Sequence, residues 1–281
     1  MNFKTVSIFF FPIFVLLLFN PGCSNSLSDP GLTEDQSDKN IFNNPKNRTI
    51  NDIMSKNLYL RIYKWKNMGN KIISTRFFIR SDNLKNDDKN FGISKKMKHP
   101  SYLKKRGFKK IGENIIIDYK EIFKRSLKYF FSHSRRLLKS LKYSDSKDPL
   151  NDFLRFVQYI KYKIPPKYIK GKYTGEFFTP LQSLYYGYGD CDTKSILLAD
   201  LLSGIRSKEK LGIVIMRGYG IFHAILVIKR NPLPGMKALF FPGKGYFIPL
   251  ETTIKNWMPG FLDKRAVNCL KSGYYRFDPL N

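Results

Sequence analysis

Tyr186-Gly-Tyr-Gly-Asp-Cys-Asp-Thr-Lys-Ser-Ile-Leu-Leu-Ala-Asp-Leu-Leu-Ser-Gly204 is the stretch that decides how this chain folds. A Gly-rich turn runs directly into a helical pattern, and Gly204 is a natural stop. Asp190 or Asp192 can accept from the free N–H groups at the helix start. Cys191, Ser195, Leu198 and Leu202 fall on one face, so the spacing predicts an amphipathic helix whose cysteine side meets the core. A thiol at a helix N-terminus faces the positive end of the helix dipole, which favours the nucleophilic thiolate. The same N–H groups can stabilise an oxyanion. A lone cysteine at such a place is more often a buried spacer, so its partners decide its meaning.

Downstream, Leu211 to Met216 reads as a buried strand, Gly218-Tyr-Gly as a turn, and Phe222-His-Ala-Ile-Leu-Val-Ile as the next strand. His223 then shares a side with Ile225 and Val227. The other two histidines, His99 and His133, lie among basic residues. A histidine on a strand is by itself more often structural than catalytic. Ala238 to Phe241 turns at Pro242-Gly-Lys-Gly into Tyr246-Phe-Ile-Pro-Leu-Glu-Thr-Thr, a hairpin by its turn chemistry. Glu251 closes an apolar strand. A carboxylate there is either an exposed strand-end charge or a group that fixes an imidazole tautomer.

Upstream, apolar residues from Tyr119 to Leu141 recur at three- and four-residue steps, which predicts an amphipathic helix over Ile117–Tyr143 with a solvated lysine-rich side. A second helix is expected from Leu150 to Tyr162, ended by Ile164-Pro165-Pro166. Strand-like runs at 58–63 and 72–80 flank the turn Met68-Gly-Asn.

Phe156-Val-Gln-Tyr-Ile-Lys-Tyr, Thr179-Pro-Leu-Gln-Ser-Leu, Gly189-Asp-Cys-Asp-Thr-Lys-Ser, Phe222-His-Ala and Leu250-Glu-Thr-Thr occur in the order seen in bacterial transglutaminase-like (papain-like) domains, and the chain resembles that superfamily over about residues 150 to 255. The resemblance implies an α+β fold, a helical part packed on an antiparallel sheet. It implies Cys191 as nucleophile, His223 as general base and Glu251 as the group that orients the histidine. Many members carry Asp at the position of Glu251, and a second acid where this chain has Thr193. Gln182 is a candidate second oxyanion donor by residue type, but its separation from Cys191 differs from that of the papain glutamine. The implied chemistry is acyl transfer through a thioester on peptide or side-chain amide bonds, with hydrolysis favoured over transamidation and no cofactor or metal. A silent binding module on the same fold and a transamidating cross-linker are the alternatives.

The charge balance, 50 Lys and Arg against 22 Asp and Glu, gives a net +28. It favours anionic neighbours such as acidic lipids or envelope polymers, although the Lys- and Asn-rich composition throughout also accounts for it. No helix-turn-helix, zinc finger or aromatic RNA platform is visible, so nucleic acid is not an expected partner. Lys4 precedes an apolar run from Val6 to Phe19, long enough for a signal-peptide core and short for a membrane span. Cys23 follows Gly22 and precedes a polar stretch, as at the lipid-attachment site of bacterial lipoproteins. The expected organisation is a signal peptide over 1–22, a tether over 23–48, an accessory, β-containing region over 49–115 and a catalytic domain over 116–281. The expected location is the exported face of a bacterial cell envelope, with a lipid anchor on the membrane and a protein or peptide as substrate. Three scattered cysteines do not make a disulfide scaffold, but a Cys191–Cys269 bridge stays open as a competitor.

Overall fold

A computed structural model describes residues 57–67, 69–94, 99–141, 149–205, 209–232 and 236–281. The expected leader, the tether, Cys23 and the turn residue Met68 lie outside the described residues. Among the described residues no helix is long and apolar enough to cross a membrane. The fold is mixed, with seven helices and an antiparallel sheet among these residues.

The first part of the chain forms strands β1 (Leu58–Lys66) and β2 (Ile72–Arg80), then helices α1 (Ser81–Asn90) and α2 (Pro100–Lys105). The short strands β3 (Phe108–Ile111) and β4 (Asn114–Ile117) lead into α3 (Tyr119–Ser140). Next come α4 (Pro149–Tyr159), β5 (Lys161–Tyr162), β6 (Tyr168–Ile169) and β7 (Lys172–Tyr173). The chain continues through α5 (Pro180–Tyr186), β8 (Tyr188–Gly189) and α6 (Cys191–Ser203). It ends in β9 (Leu211–Gly218), β10 (Ile221–Ile228), β11 (Leu239–Phe241), β12 (Gly245–Leu250), α7 (Lys264–Lys271) and β13 (Tyr275–Pro279).

The main sheet has the order β11-β12-β10-β9-β13, with every pair antiparallel. Both of its faces are covered, which explains why β9 and β10 read as nearly continuous apolar runs. Ile213, Ala224, Leu226, Ile228 and Leu250 join the large core that contains α6. Val214, Met216, Ile225, Val227 and Phe247 pack with Ala266 and Cys269 of α7. The expected hairpin at Pro242-Gly-Lys-Gly is present as β11–β12, closing at Phe241 opposite Gly245.

Helix α6 corrects the amphipathic expectation. Residues on all its sides are buried, from Cys191 through Leu202 with Asp192 alone half-buried. It lies among α3, α4, α5 and the sheet, so no face is left for solvent. The long upstream helix starts later than expected. Ile117 belongs to β4, and Asp118 accepts the Glu121 N–H at 3.2 Å to begin α3. Leu138, counted on the apolar stripe, is exposed. Helix α4 stops at Tyr159, and Tyr162 sits instead in β5.

The β1–β2 hairpin enters the same core. Trp65 and Phe77 meet the Phe156 ring of α4 at 5.1 and 5.4 Å between centroids. Tyr63 Oη donates to the Leu184 carbonyl at 2.6 Å and Arg61 Nε to the Tyr185 carbonyl at 2.7 Å. These bonds hold the end of α5, from which the chain turns through Gly187, at φ +79°, into β8. β8 pairs in parallel with β5, and α6 follows. The approach to Cys191 is thus fixed on both sides.

Gly189 is buried in this turn, and a Cβ there would overlap the Thr193 side chain. Gly189→Ala is expected to lower stability by about 1–3 kcal/mol through overpacking, read as a lower urea midpoint with unchanged slope.

Candidate active site

Cys191 opens α6. Both Cys191 and Cys269 are free, so the competing bridge between them does not form. Cys269 donates to the Gly218 carbonyl at 3.3 Å on the α7 side of the sheet. The Ala224 backbone in β10 favours the ionised form of the Cys191 thiol, and one turn further along α6 the Ser195 hydroxyl donates to the Ala224 carbonyl at 3.4 Å. Ala224 follows His223 directly, so the helix start is pinned beside the residue expected to act as base.

The resting thiol differs from the expectation of a dipole-stabilised thiolate. Burial pushes the Cys191 thiol well above its ordinary value, and the neighbouring Asp192, Asp190 and Glu251 carboxyls push the same way. The Ala224 amide opposes them. Asp190 and Asp192 form a half-buried acid pair. Burial first, then Asp192, raises the Asp190 carboxyl to about 9. Its protonated form is thereby favoured. Asp192 also accepts from Tyr119 Oη at 2.6 Å and from the Thr193 N–H at 2.7 Å.

His223 and Glu251 meet directly, with Nε2 and Oε2 2.6 Å apart. The Glu251 side chain is 4 % exposed and that of His223 20 %. The second Glu251 oxygen is held by Thr253, through its N–H at 2.7 Å and its hydroxyl at 2.6 Å. Burial alone would lower the His223 pKa, but the Glu251 charge and hydrogen bond prevail and raise it. Burial likewise tends to raise Glu251, and the imidazole and Thr253 bring it below its ordinary value. With Nε2 engaged as a donor, the neutral imidazole presents Nδ1 as its basic nitrogen.

Several expectations change in detail. Gln182 does not face the cysteine as an oxyanion donor. Its Oε1 accepts the Thr179 N–H at 3.0 Å in a capping box that starts α5, and its Nε2 donates to Asp88 at 2.8 Å. His133, read among basic residues, has Arg136 acting on it but is itself in the core. It is buried against Phe77 and Phe130, and burial lowers its pKa to about 4. His99 is exposed and bonded to Ser101 at 2.8 Å.

Four further residues surround the site. Tyr119, Gln158 and Lys194 carried no separate signal, because each sits within an apolar helical pattern. Thr253 had one in Glu-Thr-Thr, where a hydroxyl and an amide two residues on can wrap a carboxylate.

Asp190, Cys191 and Asp192 have ligand atoms within 4.8 Å of one another. Two carboxyls and a thiol are a chemically possible donor set for a cation. Occupying it would consume the sulfur and require both carboxyls to ionise, against the raised Asp190 pKa.

A solved structure of LapG from Legionella pneumophila, EGTA-treated, is similar at a TM-score of 0.29. The identity is 17%, and the alignment covers 58% of this chain and 80% of that one. No family model and no curated protein matches. The site's own geometry therefore carries the functional reading.

The His223–Glu251 pair makes stability depend on pH in a defined window. The raised His223 pKa contributes below its ordinary value of 6.5 and loses that contribution as pH rises through the folded value. The depressed Glu251 pKa contributes above its ordinary 4.5 and loses it as pH falls through the folded value. The stability difference between wild type and Glu251→Gln is expected to be largest between those two values and smaller on either side, measured by urea unfolding at a series of pH values.

Proposed function

We propose that this chain is a transglutaminase-like (papain-like) cysteine enzyme that acts by acyl transfer on peptide or side-chain amide bonds, with hydrolysis as its outcome. The observation that carries the reading is the 2.6 Å contact of His223 with buried Glu251, in a chain whose Cys191 is a free thiol opening the helix that bonds through Ser195 to the residue after His223. The five motifs in family order support it.

In this reading His223 Nδ1 takes the Cys191 proton as the sulfur attacks the carbonyl carbon. The tetrahedral oxyanion is stabilised by N–H groups at the start of α6, including that of Cys191. The imidazolium then protonates the leaving amine, the C–N bond breaks and a thioester remains. Water, losing a proton to His223, attacks the thioester. The acid departs and the thiol is restored. Glu251 keeps Nε2–H engaged and stabilises the imidazolium at each stage. The raised thiol pKa makes the base necessary, because little thiolate exists before His223 acts.

Export, lipid attachment at Cys23 and residence at the cell envelope belong to the same proposal and are supported by the residue pattern of 1–26. The substrate is a protein or peptide. Replacing water by an amine at the thioester would make the enzyme a cross-linker. A silent binding module is the second reading, and the protonated, buried thiol is the observation in its favour.

Thiol alkylation separates the two. Iodoacetamide labelling of Cys191, followed by peptide mass spectrometry, is expected to rise with pH with a midpoint above 6.5, because the neutral imidazole is the competent form and His223 is raised above that value. His223→Ala is expected to slow labelling at pH 7.5 by about 10²-fold or more, in line with general-base contributions. Equal labelling of wild type and His223→Ala would establish the silent module instead. Cys191→Ala is expected to abolish peptide or amide hydrolysis altogether.

A further inference from the structure

Lys194 is wholly buried, with 0% of its surface exposed, one turn from Cys191 on α6. A lysine in such a place is costly unless its three donors find partners. Its ammonium donates to the Ile160 carbonyl at 2.9 Å and the Gln158 carbonyl at 3.3 Å. These are carbonyls at the C-terminal end of α4, where a helix leaves acceptors unpaired and a cation is favoured.

Gln158 carries the connection onward. Its side-chain NH₂ donates to the carbonyls of Glu251 and Trp257, each at 2.9 Å, and its side-chain oxygen accepts the Asn256 N–H at 3.0 Å. One buried amide thereby fastens three points of the loop that follows β12. That loop supplies both Glu251 and Thr253, which hold the carboxylate in place. The bonds form a continuous path from the helix that bears the sulfur, through the end of α4, to the carboxylate on His223.

We propose that Lys194 and Gln158 are positioning residues, a buried clamp that sets Glu251, and through it His223, relative to Cys191. The clamp rests on the cysteine-enzyme reading, since its purpose is the alignment of that site. It explains why a lysine is kept where an apolar residue would pack. The amine satisfies helix-end carbonyls, and its protonated form interacts favourably with Cys191 and Glu251. Burial lowers the Lys194 pKa to about 7 and Lys255 pushes the same way, whereas Glu251 and Cys191 favour the protonated form.

The two halves of the clamp have opposite electrostatic consequences. Lys194→Met removes positive charge near both the thiol and the carboxylate. The imidazolium is then favoured more and the thiolate less, so the labelling midpoint should move upward and the rate at pH 7 fall by up to about tenfold, one pKa unit's worth, since Lys194 is itself only partly protonated there. Gln158→Met loosens the Glu251 loop and weakens the hold on His223, so the midpoint should move downward toward 6.5.

The test is the pH profile of iodoacetamide labelling at Cys191 in the full chain, with thermal melting to confirm folding. Opposite shifts in the two variants establish the clamp, because general destabilisation would not move the midpoint in two directions. Midpoints equal to wild type in both, or shifted in the same direction in both, overturn it. If Lys194→Met does not fold, Gln158→Met decides alone. A downward midpoint supports the clamp and an unchanged one overturns it. Failure of the enzyme reading looks different, since wild type would then label no faster than His223→Ala.

Discussion

Burial of α6 on every side is the constraint from which the rest of the structure follows. A helix closed in by α3, α4, α5 and the sheet has no solvent face on which to leave polar side chains. Each polar group it carries must be neutral or paired. Burial keeps Asp200 far above the ordinary carboxylate range and therefore uncharged. Lys194 finds the carbonyls at the end of α4, and Thr193 accepts the Phe178 N–H at 3.2 Å. The surrounding elements are thereby linked to the helix by polar contacts as well as by packing. The cysteine at its start inherits a position with little freedom.

That same burial sets the electrostatics. A helix dipole is worth about 0.3–1 kcal/mol and up to about 2 kcal/mol in favourable sites, whereas one pKa unit corresponds to about 1.4 kcal/mol. Against the dipole stand loss of solvent and three nearby carboxyl groups, and they win. The sulfur therefore waits as a thiol. In the proposed mechanism its activation falls to the imidazole, whose basicity Glu251 raises. Having Thr253 grip one carboxylate oxygen leaves the other aimed at His223, which suits an orienting role better than a strand-end charge free to rotate.

Much of this was legible in the residues. The Gly-Asp-Cys turn, the helix stop at Gly204, the paired strands β9 and β10 and the hairpin at Pro242-Gly-Lys-Gly all follow from local chemistry, and they appear where that chemistry places them. His223 and Glu251, 28 positions apart, come together as a strand-pairing pattern suggests. Less visible was anything that depends on a third element. Periodicity shows one apolar face of α6 but not that α3 and α5 cover the others. Gln182 looked available because its role as the third residue of a capping box is a backbone matter. His133 looked basic because its neighbours in the chain are basic, while its neighbours in space are aromatic rings. Lys194 and Gln158 gave no sign, since a buried lysine is indistinguishable from a surface one until its surroundings are known.

The hairpin β1–β2 has a consequence for how the molecule forms. Its apolar face, with Trp65 and Phe77, finds its cover in Phe156, some eighty to ninety residues later in the chain. A lone two-stranded hairpin is marginal in water, and contacts of such long sequence separation slow folding. During synthesis this aromatic surface stays only partly covered until α4 has been made, since α3 brings His133 against Phe77 first. The interval is a window for wrong associations, and a holdase that masks aromatic β-surfaces would ease the yield of the native protein.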